Sequence, residues 1–381
     1  MMLKIAIDEN ISHAAEAFGE LGEIQLVSAH EITPATLQKT DALIVRSTVR
    51  IDEKLLCNSP VKFVGTATIG TDHVDETYLN EAGIAFASAA GCNANAVAEY
   101  VFTALSHLAV KRGMQLSECT LGVVGVGHVG SRVVRLAKAC GLRVLQNDPP
   151  LARQSENHDF VELEELMQAD IVTLHVPLTM DGGDKTWHLF EANQLEKLSE
   201  DVVLINAARG AVIDNQALLA WKKENTNAAL ILDVWEDEPD IALDLLSTTE
   251  IATPHIAGYS MEGKANGTAI IYQEFCRHFD IQANWQPRLP ALNSGTIVVR
   301  GDAGIESALA QSCGATYNLL QDDAALRKIE MENPDQRADY FHALRKNYAL
   351  RREFFNYHLR LEPMDINLAL MLNAFRFQVE N

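Results

Sequence analysis

The stretch Thr120-Leu121-Gly122-Val123-Val124-Gly125-Val126-Gly127-His128-Val129-Gly130 decides how the chain is read. A short apolar run predicts a buried strand, Gly125-x-Gly127-x-x-Gly130 follows it, and a helical pattern then runs to Cys140. That order of strand, glycines and helix is the context in which a glycine fingerprint binds the pyrophosphate of a dinucleotide. Gly125 permits the tight turn, Gly127 admits the phosphates to the backbone, and Gly130 lets the helix pack against the strand. The first helical amides, those of His128 and Val129, are expected to face the pyrophosphate, favoured by the positive end of the helix dipole. A second strand, Arg143 to Gln146, ends at Asp148, about 20 residues past the first glycine. A carboxylate there accepts hydrogen bonds from an unmodified ribose and repels a 2′-phosphate, so NAD is expected rather than NADP.

Outward from this unit the pattern repeats. Ile171 to Leu174, Val202 to Ile205 and Ala229 to Leu232 read as further strands separated by helices, which makes residues 120 to about 255 one α/β domain. Upstream, Leu3 to Ile7, Ala42 to Val45 and Lys62 to Gly65 read as strands of another parallel sheet, with loops at Ser47 and Thr68. Ligands of such sheets bind at the carboxyl ends of the strands, so those loops are candidate binding elements. Asn93 to Arg112 reads as a long helix with enough apolar surface to bridge two domains, and Gly258 to Phe279 as a helix returning to the first domain. After Pro287 and Pro290 the character changes to short strands and a charged helical stretch from Asp339 to Tyr357, read as a third domain. The expected division is 1–96 with 259–288, 97–258, and 289–381. The expected class is two doubly wound parallel-sheet α/β domains (Rossmann-like or flavodoxin-like), one inserted in the other, plus a small α+β C-terminal domain.

Composition removes several classes of function. The 381 residues carry 52 Asp+Glu against 31 Lys+Arg, a formal charge of −21, concentrated between residues 151 and 250. That field disfavours nucleic acid and anionic membranes as partners. No apolar run is long enough to span a bilayer. The amino-terminal sequence reaches Asp8 and Glu9 too early for a secretory signal, so a cytoplasmic protein is expected. Cys57, Cys92, Cys119, Cys140, Cys276 and Cys313 have no zinc-like spacing and are expected as free thiols, and no metal site is expected.

Three residues of complementary chemistry follow predicted strands on the edge where the dinucleotide is expected. Arg209 lies in Asn206-Ala207-Ala208-Arg209-Gly210, Glu238 in Asp233-Val234-Trp235-Glu236-Asp237-Glu238-Pro239, and His255 in Thr253-Pro254-His255-Ile256-Ala257-Gly258. A guanidinium holds a carboxylate through paired hydrogen bonds. An imidazole exchanges protons near neutral pH, and a neighbouring carboxylate orients it. Together with NAD they have what oxidation of an alcohol requires.

These segments, with VGTATIGTDHVD, GVVGVGHVG, LINAARGAVID, LDVWEDEP and TPHIAGYS, resemble the D-isomer-specific 2-hydroxyacid dehydrogenases. The resemblance implies that Arg209 binds substrate, Glu238 is the acidic partner and His255 the proton donor and acceptor, with Asp233 and Gly258 near the nicotinamide. It places Val176 at a cofactor contact where relatives often carry Thr, so that only its backbone can serve. Within the family, Val45-Arg46-Ser47, Gly91-Cys92-Asn93, Asn147-Asp148-Pro149-Pro150 and Arg345-Lys346-Asn347-Tyr348 resemble a branch acting in vitamin B6 biosynthesis. That branch oxidises a four-carbon 2-hydroxy acid phosphorylated at C4, and its C-terminal domain serves a homodimer. The resemblance puts Ser47, Thr68 and Tyr259 on the substrate. The phosphate needs cations, and both Arg46 and the cluster Arg345, Lys346, Arg351 and Arg352 are candidates, unless the cluster is a solvated helix face. Two other readings share these residues: a different dehydrogenase of the family, such as one acting on D-3-phosphoglycerate, and a non-catalytic NAD-sensing protein.

Overall fold

Every strand pairing among the described residues, 2–154 and 159–380 of a computed structural model, is parallel. The chain divides into two compact units, Met1–Asn93 with Ser260–Ala291, and Ala94–Tyr259 with Leu292–Asn381.

The first unit holds a five-stranded sheet built from β1 (Leu3–Asp8), β2 (Gly22–Val27), β3 (Ala42–Val45), β4 (Phe63–Thr66) and β5 (Ala85–Ser88). Its order, β2-β1-β3-β4-β5, places the topological switch point between β1 and β3. β3 and β4 are buried along their whole length, as expected of central strands covered on both faces. The loop Arg46-Ser47-Thr48 therefore leaves the sheet at the position where open α/β folds bind ligands. The helix Met261–His278 packs on this sheet. Gly65 makes room for it, because a Cβ there would stand 2.5 Å from Ile271.

The second unit holds a six-stranded sheet of β6 (Thr120–Val124), β7 (Arg143–Asn147), β8 (Ile171–Leu174), β9 (Val203–Asn206), β10 (Ala229–Leu232) and β11 (Ile251–Ala252), in the order β11-β10-β9-β8-β6-β7. A single parallel bridge, Gln146 to Phe160, extends it beyond β7. The order reverses between β6 and β8, so the glycine loop after β6 and residues His175-Val176 after β8 flank the switch point.

The helix Ala94–Arg112 is buried on nearly every side. Its apolar surface is covered within this unit by the helices His128–Ala139 and Gly304–Thr316, so the C-terminal segment shares a core with the dinucleotide fold. That segment adds a third sheet, β12 (Ile297–Arg300), β13 (His358–Glu362) and β14 (Gln378–Glu380). The helical stretch expected from Asp339 to Tyr357 is shorter. An α-helix spans Arg337–Lys346, and the chain then turns through Arg351 to a short 3-10 segment, Phe354–Asn356. No helix among the described residues is long and apolar enough to cross a membrane.

Candidate active site

The glycine loop has the shape its sequence requires. Gly125 is left-handed at φ 84°, and a Cβ there would lie 2.8 Å from the His175 carbonyl and from Val176, so the loop touches the end of β8. A Cβ on Gly130 would fall 1.9 Å from the Gly125 carbonyl oxygen, which fixes glycine there. At Gly127 a Cβ would meet nothing within 4 Å. His128 opens the helix His128–Ala139 with no side chain capping its start, and Val129 follows in the first turn. An approachable backbone at Gly127 and an uncapped helix start suit a diphosphate. Asp148 stands at the end of β7, where its Oδ2 accepts the Val126 N–H at 2.8 Å and its Oδ1 the Leu151 N–H at 3.0 Å. The carboxylate is thereby fixed beside the loop with lone pairs left for ribose hydroxyls. The residues present thus fit a dinucleotide with an unmodified ribose.

Arg209 follows β9. Asn206 braces it, donating to the Arg209 carbonyl at 2.9 Å and accepting the Ala208 N–H at 3.1 Å. Gly210 lets this loop lie against the loop after β10, since a Cβ there would stand 1.9 Å from the Trp235 carbonyl. Glu238, half-buried, receives the Trp235 N–H on Oε1 at 2.8 Å, and its Oε2 lies 2.8 Å from Nδ1 of His255. Burial pushes the Glu238 carboxyl up. The nearby His255, its hydrogen bond, the Trp235 N–H and the Arg345 charge outweigh that and hold it below its ordinary value.

Asp233 is fully buried and organises the histidine loop. Its Oδ1 accepts from the Thr253 hydroxyl at 2.7 Å and the Ile256 N–H at 2.8 Å, and its Oδ2 accepts the Ala257 N–H at 2.9 Å. Its own carbonyl accepts the His255 N–H at 2.7 Å. His255 is held at φ 58°, a conformation L residues avoid and that a tightly bonded loop can impose. Gly258 lies in the turn closed by the Tyr259 N–H on the Ile256 carbonyl at 2.8 Å.

Arg351, expected among the phosphate cations, is buried instead. It donates to the carbonyls of Ala96 at 2.8 Å, Ile256 and Tyr259 at 3.3 Å each, and Ala257. Its charge is spent holding the histidine loop to the helix Ala94–Arg112. Lys346 is exposed, and Arg352 donates to Asn356 at 2.7 Å.

In the first unit, Ser47 is exposed and Arg46 half-buried. The Thr68 hydroxyl lies 2.7 Å from that of Thr66, which in turn lies 3.0 Å from Nε2 of His73. Lys264 carries no motif in the sequence. Burial, and then the charge of Arg46, lower its ammonium pKa, so a second cation stands near Arg46. Two histidines have roles that no sequence pattern marks. His175 follows β8, bonds to Thr173 at 3.0 Å and is pushed by burial down to about 3, so it is neutral. His188 lies between Glu236 at 2.6 Å and Asp214 at 3.8 Å. Asp214 also caps the helix Asn215–Glu224, and Glu236 accepts the Asn215 N–H at 3.1 Å, so structural bonds occupy both acids. Neither pairing was legible, because a lone histidine in a loop carries no spacing signal.

The fold and this constellation define a dehydrogenase, and comparison with known proteins agrees. Residues 94–257 match the family described as D-isomer specific 2-hydroxyacid dehydrogenase, NAD binding domain, and residues 288–374 match a domain of unknown function. The chain belongs to the D-isomer-specific 2-hydroxyacid dehydrogenases, and its cofactor is NAD. It is 43% identical over 378 residues to the erythronate-4-phosphate dehydrogenase of Enterobacter sp. (strain 638), covering 98% of each chain. To the enzyme of the same name from Proteus mirabilis (strain HI4320) it is 43% identical over 382 residues, 98% of this chain and 99% of that one. The solved 3-phosphoglycerate dehydrogenase of Entamoeba histolytica shares the fold with a TM-score of 0.62 at 24% identity, covering 75% of this chain and 100% of that one.

Proposed function

We propose that this protein oxidises 4-phospho-D-erythronate at C2 with NAD⁺, giving 2-oxo-3-hydroxy-4-phosphobutanoate, NADH and a proton, as a step of vitamin B6 biosynthesis in the cytoplasm. The observation that carries the reading is the likeness to erythronate-4-phosphate dehydrogenases, which runs through 98% of both chains and so includes the C-terminal segment.

The glycine loop and Asp148 would hold NAD⁺, which would supply the acceptor for the C2 hydride. The chain's own residues do the rest. The ionised Glu238 keeps the His255 proton on Nδ1, which leaves Nε2 with a lone pair to receive the proton of the C2 hydroxyl. The carboxylate then stabilises the imidazolium. Arg209 grips the C1 carboxylate through its planar fork, and Ser47, Thr68 and Tyr259 contact the substrate. Arg351 is structural, so Arg46, with Lys264 near it, and Arg345, Lys346 and Arg352 remain the candidates for the 4-phosphate.

We further propose that residues 1–96 with 259–288 bind substrate, 97–258 bind NAD, and 289–381 pair two copies of the chain. Ile366 and Leu370, one turn apart on the helix Ile366–Ala374, are 73% and 64% exposed, an apolar stripe that a second copy would cover. Sedimentation should give a dimer that Leu370→Glu converts to monomer. A monomeric wild type overturns the pairing.

The substrate test is NADH formation with 4-phospho-D-erythronate, D-erythronate, D-3-phosphoglycerate and D-lactate. The phosphorylated erythronate should have the highest kcat/KM, with Arg209→Ala orders of magnitude slower while NADH still binds. Preference for another acid overturns the substrate, and no turnover of any of them overturns the enzyme reading.

A further inference from the structure

We infer that Arg345, contributed by the C-terminal segment, determines specificity by binding the terminal phosphate of the substrate. The inference rests on the proposed phosphorylated substrate and adds the residue that reads it.

Arg345 lies in the last turn of the helix Arg337–Lys346. Its guanidinium carbon stands 6.0 Å from the ring centroid of Tyr259, four residues after His255. The Tyr259 ring packs edge-on against Tyr348 at 5.8 Å, and the Tyr348 hydroxyl donates to Asp322 at 2.9 Å. The ring beneath Arg345 is therefore anchored. Its charge also reaches the catalytic pair, where it helps hold the Glu238 carboxyl down. Other arginines of the C-terminal segment are committed: Arg351 to four carbonyls, Arg376 to Glu353 at 2.9 Å, Arg327 to Asp323 at 2.9 Å. The Nε of Arg345, like those of Arg337 and Arg351, is buried without a hydrogen-bond partner among the described residues, and of the three it is Arg345 that stands over Tyr259 and helps hold Glu238 down. A buried unpaired donor is costly and calls for an explanation, and an anionic ligand supplies one.

The remaining anionic groups already have candidates. The glycine loop suits the cofactor's diphosphate, and Arg209 suits the C1 carboxylate. The 4-phosphate is what is left, and a guanidinium binds it through parallel hydrogen bonds. The source of the residue also fits. The match to the general NAD-binding domain ends at residue 257, so Arg345 belongs to a segment outside it.

The experiment compares Arg345→Met and Arg345→Lys with wild type on 4-phospho-D-erythronate and on D-erythronate, with NADH binding followed by fluorescence. Arg345→Met should raise KM for the phosphorylated acid roughly 10- to 100-fold. The loss of kcat/KM on the unphosphorylated acid should be about tenfold smaller than on the phosphorylated one, with NADH affinity unchanged. Arg345→Lys, which keeps charge without the fork, should recover part of the loss. Equal losses on both acids would assign Arg345 to positioning the Glu238–His255 pair and overturn the inference, as would an unchanged KM. Should Arg345→Met not fold, Arg345→Lys decides alone, by raising KM for the phosphorylated acid only or not. Failure of the substrate reading shows separately, as a wild type with no preference for the phosphorylated acid.

Discussion

The loop carrying His255 and the loop carrying Ser47 both leave parallel strands at their carboxyl ends, yet they are held very differently. Around His255, one buried aspartate takes three hydrogen bonds on its carboxylate and a fourth on its carbonyl, and Arg351 ties the loop's carbonyls to a neighbouring helix. Ser47 sits exposed in a turn closed by the Val49 N–H on the Arg46 carbonyl at 3.3 Å. The contrast follows from the work each loop does. Proton transfer fails when the base is misplaced by an ångström, so the histidine is over-determined even in a left-handed conformation. A hydroxyl that only adds a hydrogen bond to a bound acid tolerates a looser mount.

The largest expected effects lie in the clamped loop. His255→Ala should lower kcat/KM by roughly 10³-fold or more, the range of a general base, with NADH binding intact. Glu238→Gln should cost nearly as much despite its equal size, because an amide donating to Nδ1 would move the proton to Nε2 and remove the acceptor. It has a second signature in stability. The Glu238 carboxyl is held below its ordinary value, so it stabilises the fold above the unfolded pKa, and that contribution disappears as pH falls through the lowered one. The Tm of Glu238→Gln should therefore lie below wild type at pH 7, and the gap should close in acid. A gap that widens as pH falls would show that the carboxylate does not clamp this loop.

The same contrast explains what the sequence made legible. The glycine spacing, Asp148, and the strands β3 and β10 could be read directly, because local pattern and tertiary burial agree there. The strand β2 is hard to read because it lies at the sheet edge and Glu23 and Gln25 interrupt its apolar run. With two residues, β11 is too short to show a period. The residues of the clamp could be named, but the work some of them do could not. Asp233 reads as a cofactor contact, and no local pattern shows that its carboxylate also organises the His255 loop. Arg351 reads as one charge of a basic helix, but it lies past the end of that helix at Lys346 and its partners are more than 90 residues away. Such long-range commitments override local propensity and leave no periodic trace.

The smallest expected effect tests the looser side. Ser47→Ala should raise KM for 4-phospho-D-erythronate about three- to tenfold, the worth of one hydrogen bond of ~1 kcal/mol, with kcat and Tm unchanged. Thr68→Ala makes the instructive neighbour, because its hydroxyl also meets Thr66, itself bonded to His73. Its loss should raise KM and lower Tm together. A fall in kcat of a hundredfold or more for Ser47→Ala, at unchanged Tm, would mean that the exposed loop positions the reacting carbon as strictly as the clamped loop positions the base. The division of labour between the two loops would then be wrong, because the accuracy needed at Ser47 would have to come from the bound substrate rather than from the protein.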